Sequence, residues 1–202
     1  MHPSSLPSRD SIGGVDVDAV LLTGLDTFGT VLEHVAPGDW DQPSPCEGWT
    51  ARTLTGHVFT VLDSAATVLR GGTFDWAGAA QPSDVAGDDP VGAFRQRSTD
   101  ARAALLDADL DEVMETPIGP MSIRKRLAFP AMDLHLHAWD LGRTVSFAVE
   151  VPDDVAGFVH ATLDPMPAEM VRSQGVFGPE VTAPAGATTT EALMAWTGRQ
   201  PR

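Results

Sequence analysis

With 202 residues, 43% of them hydrophobic, the chain is long enough for one domain with a genuine core. Its formal charge of −15 argues against nucleic acid and anionic membranes as partners, because both are met with basic patches. A single cysteine excludes an internal disulfide framework and suits a reducing cytoplasm.

Residues 1–14, MHPSSLPSRDSIGG, lack the apolar stretch of a signal peptide and read as a flexible lead-in. No later run is long enough to span a bilayer. Val17, Leu21, Leu25, Phe28, Leu32 and Val35 recur at steps of three and four, which predicts a helix ended by Pro37 and Gly38. The loop 39–49, DWDQPSPCEGW, leads to Thr50, the N-cap of a second helix reaching about Arg70. That helix turns Leu54, Val58, Val61, Ala65 and Val68 inward, and Gly71 and Gly72 stop it. Residues 73–88 read as a long surface connection.

Asp89 followed by Pro90 is an N-cap with proline in the first helical position. The third helix carries Phe94, Ala101 and Leu105 inward and ends near Ala108. The stretch 116–121, TPIGPM, is a turn with room for a short extended segment. Ser122 opens a fourth helix with Ile123, Leu127, Leu134, Leu141 and Val145 inward, and Pro130 predicts a kink one turn before Asp133. Beyond Val145, Pro152 to about Met170 reads as a helix interrupted near Asp164, Pro165 and Pro167. Residues 176–184 read as extended, and Thr188 to Trp196 as a terminal helix. Four amphipathic helices point to an all-α four-helix bundle over 15–147, with a helical C-terminal extension, 148–202, packed on it.

The chemistry concentrates in 129–145, FPAMDLHLHAWDLGRTV. Asp133 and His137 are four apart and share one face of a helix, and Asp140 falls near the same line. His137 lies three after Leu134 and four before Leu141, so it belongs to the apolar stripe, whereas His135 points largely away and is placed to hydrogen-bond across an interface. An inward carboxylate and imidazole need partners, since burying unpaired polar groups is costly. A metal ion is one such partner; a simple hydrogen-bonded pair is the commoner one. His57, three after Leu54 and four before Val61, points inward from the second helix and is the strongest candidate for a third ligand. Cys46 and Trp49 sit in the preceding loop, near the mouth of any pocket there. A lone cysteine is more often a small buried hydrophobe, and Trp49 and Trp139 read first as core anchors. His34 and His160 have no companions at ligand spacing. There is no G-x-G-x-x-G, P-loop, G-x-S-x-G or H-E-x-x-H motif.

Two segments carry a resemblance: W-x-x-P-S-P-C-E-G-W-T with a histidine eight residues after its last Trp (Trp49 to His57), and D-L-x-x-H-x-W-D-L-G-R starting at Asp133. Together they resemble the DinB superfamily, and more closely its branch of mycothiol-dependent maleylpyruvate isomerase N-terminal-domain proteins. The tail FGPEVTAP…WTGRQP is similar to metal-binding members of that branch, largely actinobacterial. The resemblance implies a DinB-like bundle in which one histidine of the second helix and two residues one turn apart on the fourth hold a metal. His57, Asp133 and His137 occupy those places. Relatives carry histidine or glutamate where this chain has Asp133, one methylene shorter than glutamate.

Two imidazoles and a carboxylate suit Zn²⁺, with Ni²⁺, Fe²⁺ or Mn²⁺ as alternatives, and three protein ligands leave a coordination position open. Asp140 is then placed to orient its neighbourhood by hydrogen bonding. The resemblance implies a metal-dependent enzyme that uses a small thiol such as mycothiol to act on a small electrophile, in an assembly that is often a homodimer. The competing reading is a non-catalytic bundle that binds a metal or a protein partner.

Overall fold

Side-chain caps written into the sequence mark where several of the helices begin. The computed structural model describes residues 11–73, 85–117, 119–173 and 177–201. Helix α1 spans Val17–Leu32. Helix α2, Ala51–Leu69, starts from a capping box: the Thr50 hydroxyl accepts from the Thr53 N–H, and the Thr53 side chain accepts from the Thr50 N–H. Helix α3, Pro90–Asp107, starts at Asp89, whose carboxylate accepts from the Gly92 N–H. Two short antiparallel strands follow, β1 (Val113–Met114) and β2 (Met121–Ser122), paired Val113 to Ser122 and Met114 to Met121.

The predicted fourth helix is two helices. Helix α4 covers Ile123–Arg126, capped by Ser122, and α5 covers Ala128–Thr144. The break falls at Leu127 rather than at Pro130. Proline has no N–H to offer the Arg126 carbonyl. Restarting the helix at Ala128 places Pro130 in the first turn, where amide hydrogens have no intrahelical partner in any case. The remainder comprises α6 (Asp153–Leu163), α7 (Ala168–Ser173) and α8 (Thr189–Trp196), the last with its own capping box from Thr188 and Glu191. The interruption expected near Asp164 to Pro167 separates α6 from α7. The expected extended stretch begins at Val176, which lies outside the described residues, as do residues 1–10 of the lead-in and 74–84 of the long connection.

Helices α1, α5, α2 and α3 close a four-helix bundle, with α1 against α5, α5 against α2, α2 against α3 and α3 against α1. Leu21, Leu25 and Phe28 of α1, Leu54, Phe59 and Leu62 of α2, and Leu134 and Leu141 of α5 are fully buried. Each contributes about 1.5–3 kcal/mol by leaving water. Phe94 of α3 packs between the rings of Phe28 (5.3 Å) and Phe59 (6.4 Å). At Gly24 a Cβ would come within 2.9 Å of Leu134 Cβ, so glycine is what lets α1 approach α5. Helix α6 packs on α5 and on α8, so the C-terminal segment covers the side of α5 that the bundle leaves open. Every α5 residue from Leu134 to Gly142 is buried as a result. Among the described residues, no helix is long and apolar enough to cross a membrane.

Candidate metal centre

The capping box at Thr50 fixes where α2 begins, and hence where His57 points, nearly two turns on. The loop before it is tied back on itself: Ser44 N–H donates to the Trp49 carbonyl, and Ala51 N–H to that of Gln42. Across the seam, α5 presents Asp133 and His137 one turn apart. His57 Nε2 lies 3.1 Å from Asp133 Oδ2, and His137 Nε2 lies 3.3 Å from Asp133 Oδ1. The two imidazole rings meet edge to face, 4.7 Å between centroids, and Trp49 stands against both, at 4.8 Å from His57 and 6.0 Å from His137. Both histidine side chains are 8% exposed and that of Asp133 is 27% exposed, so solvent reaches the cluster from the carboxylate side.

The other side of His137 is sealed. Its Nδ1 donates to Asp140 Oδ2 at 3.0 Å, and Asp140 is wholly buried. Arg199 grips both oxygens of Asp140 with its guanidinium, Nε to Oδ1 and Nη2 to Oδ2, each at 2.8 Å. The Cys46 thiol donates to Asp140 Oδ2 at 3.3 Å, with Sγ 3.9 Å from His137 Nδ1.

These contacts set the electrostatics. Burial opposes the charge of Asp133, but His137 and then His57 outweigh it and hold this carboxyl well below the usual range. Burial likewise opposes the charge of Asp140, and Arg199 with His137 overcomes it in the same direction. Burial disfavours protonated His137, yet Asp133, Asp140 and Cys46 raise its proton affinity well above the ordinary value. The cluster is therefore a place that draws positive charge.

A divalent cation fits this donor set. Ligand atoms about 2.0–2.1 Å from a tetrahedral zinc stand roughly 3.3 Å from each other, and the Asp133 oxygens lie at 3.1 and 3.3 Å from the two nitrogens. One ligand atom from each of His57, Asp133 and His137 falls within 4.8 Å of the others. Cys46, His137 and Asp140 form a second group of the same tightness. A cation there would meet the Arg199 guanidinium already bound to Asp140, so the first group is the better candidate.

A family model, the mycothiol maleylpyruvate isomerase N-terminal domain, matches residues 21–142. The chain belongs to this family. Two solved structures share its fold, both of a mycothiol-dependent maleylpyruvate isomerase. A histidine-to-alanine mutant aligns with a TM-score of 0.62 at 16% identity, and a second crystal structure with 0.58 at 17%. In each case the alignment covers 88% of this chain and 80% of the other. No curated protein sequence matches the chain.

The family region contains every candidate named from the sequence, and the structure brings them together: His57, Asp133, His137, Asp140, Cys46 and Trp49 form one cluster. Trp49 is half-buried against the two histidines rather than sunk in the core, while Trp139 is buried. His135 corrects an expectation. It does not point away from the interior but is 1% exposed, because α1 and α6 cover the face it was assigned. Arg199 lies beyond the family region and was not anticipated. Its only trace in the sequence is the WTGRQP tail, which nothing in spacing connects to Asp140.

Proposed function

We propose that the protein is a divalent-metal-dependent enzyme that uses a low-molecular-weight thiol, mycothiol or a close analogue, to isomerise or transfer onto a small electrophilic substrate. The observation that supports it is the convergence of His57, Asp133 and His137 from two helices, with both Nε2 atoms against one partly exposed carboxylate. His57, Asp133 and His137 would hold the metal, with zinc the best match and nickel, iron or manganese admitted by the same donors. When bound, a divalent ion supplies Lewis acidity that lets a thiol ionise at neutral pH.

The chain's own groups supply the rest. Asp140 holds a proton on His137 Nδ1 and so aims Nε2 at the ligand cluster. Trp49 walls the two imidazoles from solvent, which strengthens the electrostatic interactions inside. The exposed side of Asp133 leaves an approach for a guest. A reducing cytoplasm, where small thiols stay reduced, is the compartment such a reaction requires.

Elemental analysis of untagged protein, followed by thiol-binding calorimetry, tests this. Stoichiometric metal and metal-dependent binding of mycothiol are expected, and His57→Ala should lose both while keeping its helical circular dichroism. Absence of metal, or thiol turnover that survives His57→Ala, would reject the enzyme reading in favour of a partner-binding bundle.

A further inference from the structure

Asp140 is the most heavily contacted polar group at the candidate centre. It is 0% exposed, and its two oxygens receive two N–H groups of Arg199, one of His137 and the thiol of Cys46. An ionised carboxylate only accepts hydrogen bonds, so Asp140 keeps a proton on His137 Nδ1, and Nε2, which faces Asp133 at 3.3 Å, is the nitrogen that gives up its proton when a cation takes its place. What keeps the carboxylate in that plane is the planar fork of Arg199, which binds both oxygens at once. His57 has no comparable anchor, for its Nδ1 is buried without a hydrogen-bond partner among the described residues. Orientation of the histidine pair therefore falls on His137 and the groups behind it.

Arg199 reaches this position by a built turn. Helix α8 ends with Gly198 N–H donating to the Ala195 carbonyl and Arg199 N–H to that of Met194. Gly198 adopts φ 87°, which favours glycine, and a Cβ there would lie 2.7 Å from the Gly178 carbonyl carbon. Gly178 is itself held, because Arg172 donates to its carbonyl at 2.6 Å and to that of Trp196 at 3.0 Å. Two backbone segments touching at a glycine pair thus deliver one guanidinium to a carboxylate 59 residues away in sequence.

We infer that Arg199 is a positioning residue for the metal centre: from the C-terminal segment it clamps Asp140, which holds the His137 proton on Nδ1 and leaves Nε2 free to ligate. The inference takes its purpose from the proposed metal centre, but part of its test does not depend on that proposal. The expected pattern is a weaker centre with its ligands intact. Arg199→Met should weaken zinc binding, measured by chelator competition on the full chain, by about 10–100-fold. In metal-free protein at alkaline pH, where imidazoles are neutral, nitrogen-detected NMR should show His137 passing from the Nδ1–H tautomer to a mixture. Arg199→Lys should recover part of both. Gly198→Ala, which touches no ligand, should shift both the same way, and with Arg199→Lys it carries the test if Arg199→Met does not fold.

A variant that melts earlier yet keeps the parent's zinc affinity and His137 tautomer would overturn the inference, reducing Arg199 to an anchor for the tail. If the parent takes up no zinc, the metal reading fails, and the tautomer comparison in metal-free protein still decides the role of Arg199.

Discussion

His135 and His137 stand two residues apart on one buried helix, and their surroundings make them opposites. His135 faces α1, where its Nε2 meets the Val20 carbonyl at 3.0 Å and the Thr23 hydroxyl at 3.4 Å, in space that Gly24 leaves open. Burial lowers its proton affinity, and the Val20 carbonyl with the more distant Asp154 only partly restores it. His137 faces α2 between two carboxylates and is driven the other way. Burial alone therefore does not set the charge of a histidine. The charge of its partners does.

The sharpest way to break this contrast is to remove one histidine at a time. His137→Ala should abolish metal retention after dialysis, while His135→Leu should retain the parent's metal content; elemental analysis of the two variants decides. Next in size is Asp140→Ala, which leaves the Arg199 guanidinium buried without a counter-charge. A loss of about 3–5 kcal/mol in urea unfolding is expected. A smaller cost, about 0.5–1.5 kcal/mol, is expected for His135→Leu, which forfeits one hydrogen bond to a neutral acceptor. A loss at His135 as large as that at Asp140 would erase the distinction between the two seams.

The smallest effect is one of pH, in metal-free protein. Asp133 and Asp140 are held low, so their contribution to stability is present above the ordinary 3.8 and fades as the pH falls below it. His137 is held high, so its contribution is complete below the ordinary 6.5 and is lost as the pH rises beyond it. His135 is held low and acts with the opposite sign: its contribution is present above 6.5 and lost on acidification. Urea titrations across about pH 6–8 should therefore show stability rising with pH in His137→Gln and falling with pH in His135→Leu. Matching slopes would contradict the assignment.

The four bundle helices, the helix starts at Thr50, Asp89 and Ser122, and the grouping of His57 with Asp133 and His137 were legible because each depends on spacing within one helix or on a short motif. Three features were not. The break at Leu127 reflects a choice between kinking at Pro130 and restarting before it, and periodicity does not distinguish them. His135 was misread because a helical stripe identifies one buried face, whereas α1, brought close at Gly24, closes a second. Arg199 was invisible because no periodicity links the end of α8 to the middle of α5. Only the fold supplies that adjacency.

The unequal exposure of the three candidate ligands bears on exchange kinetics. The two imidazoles are shut behind Trp49 and the body of the bundle, whereas the carboxylate meets water. An ion bound there would be stripped by chelators attacking through Asp133, without any unfolding of the helices. Its residence time should then follow chelator concentration rather than the rate at which the protein opens, so loading in the cell would answer quickly to changes in available metal.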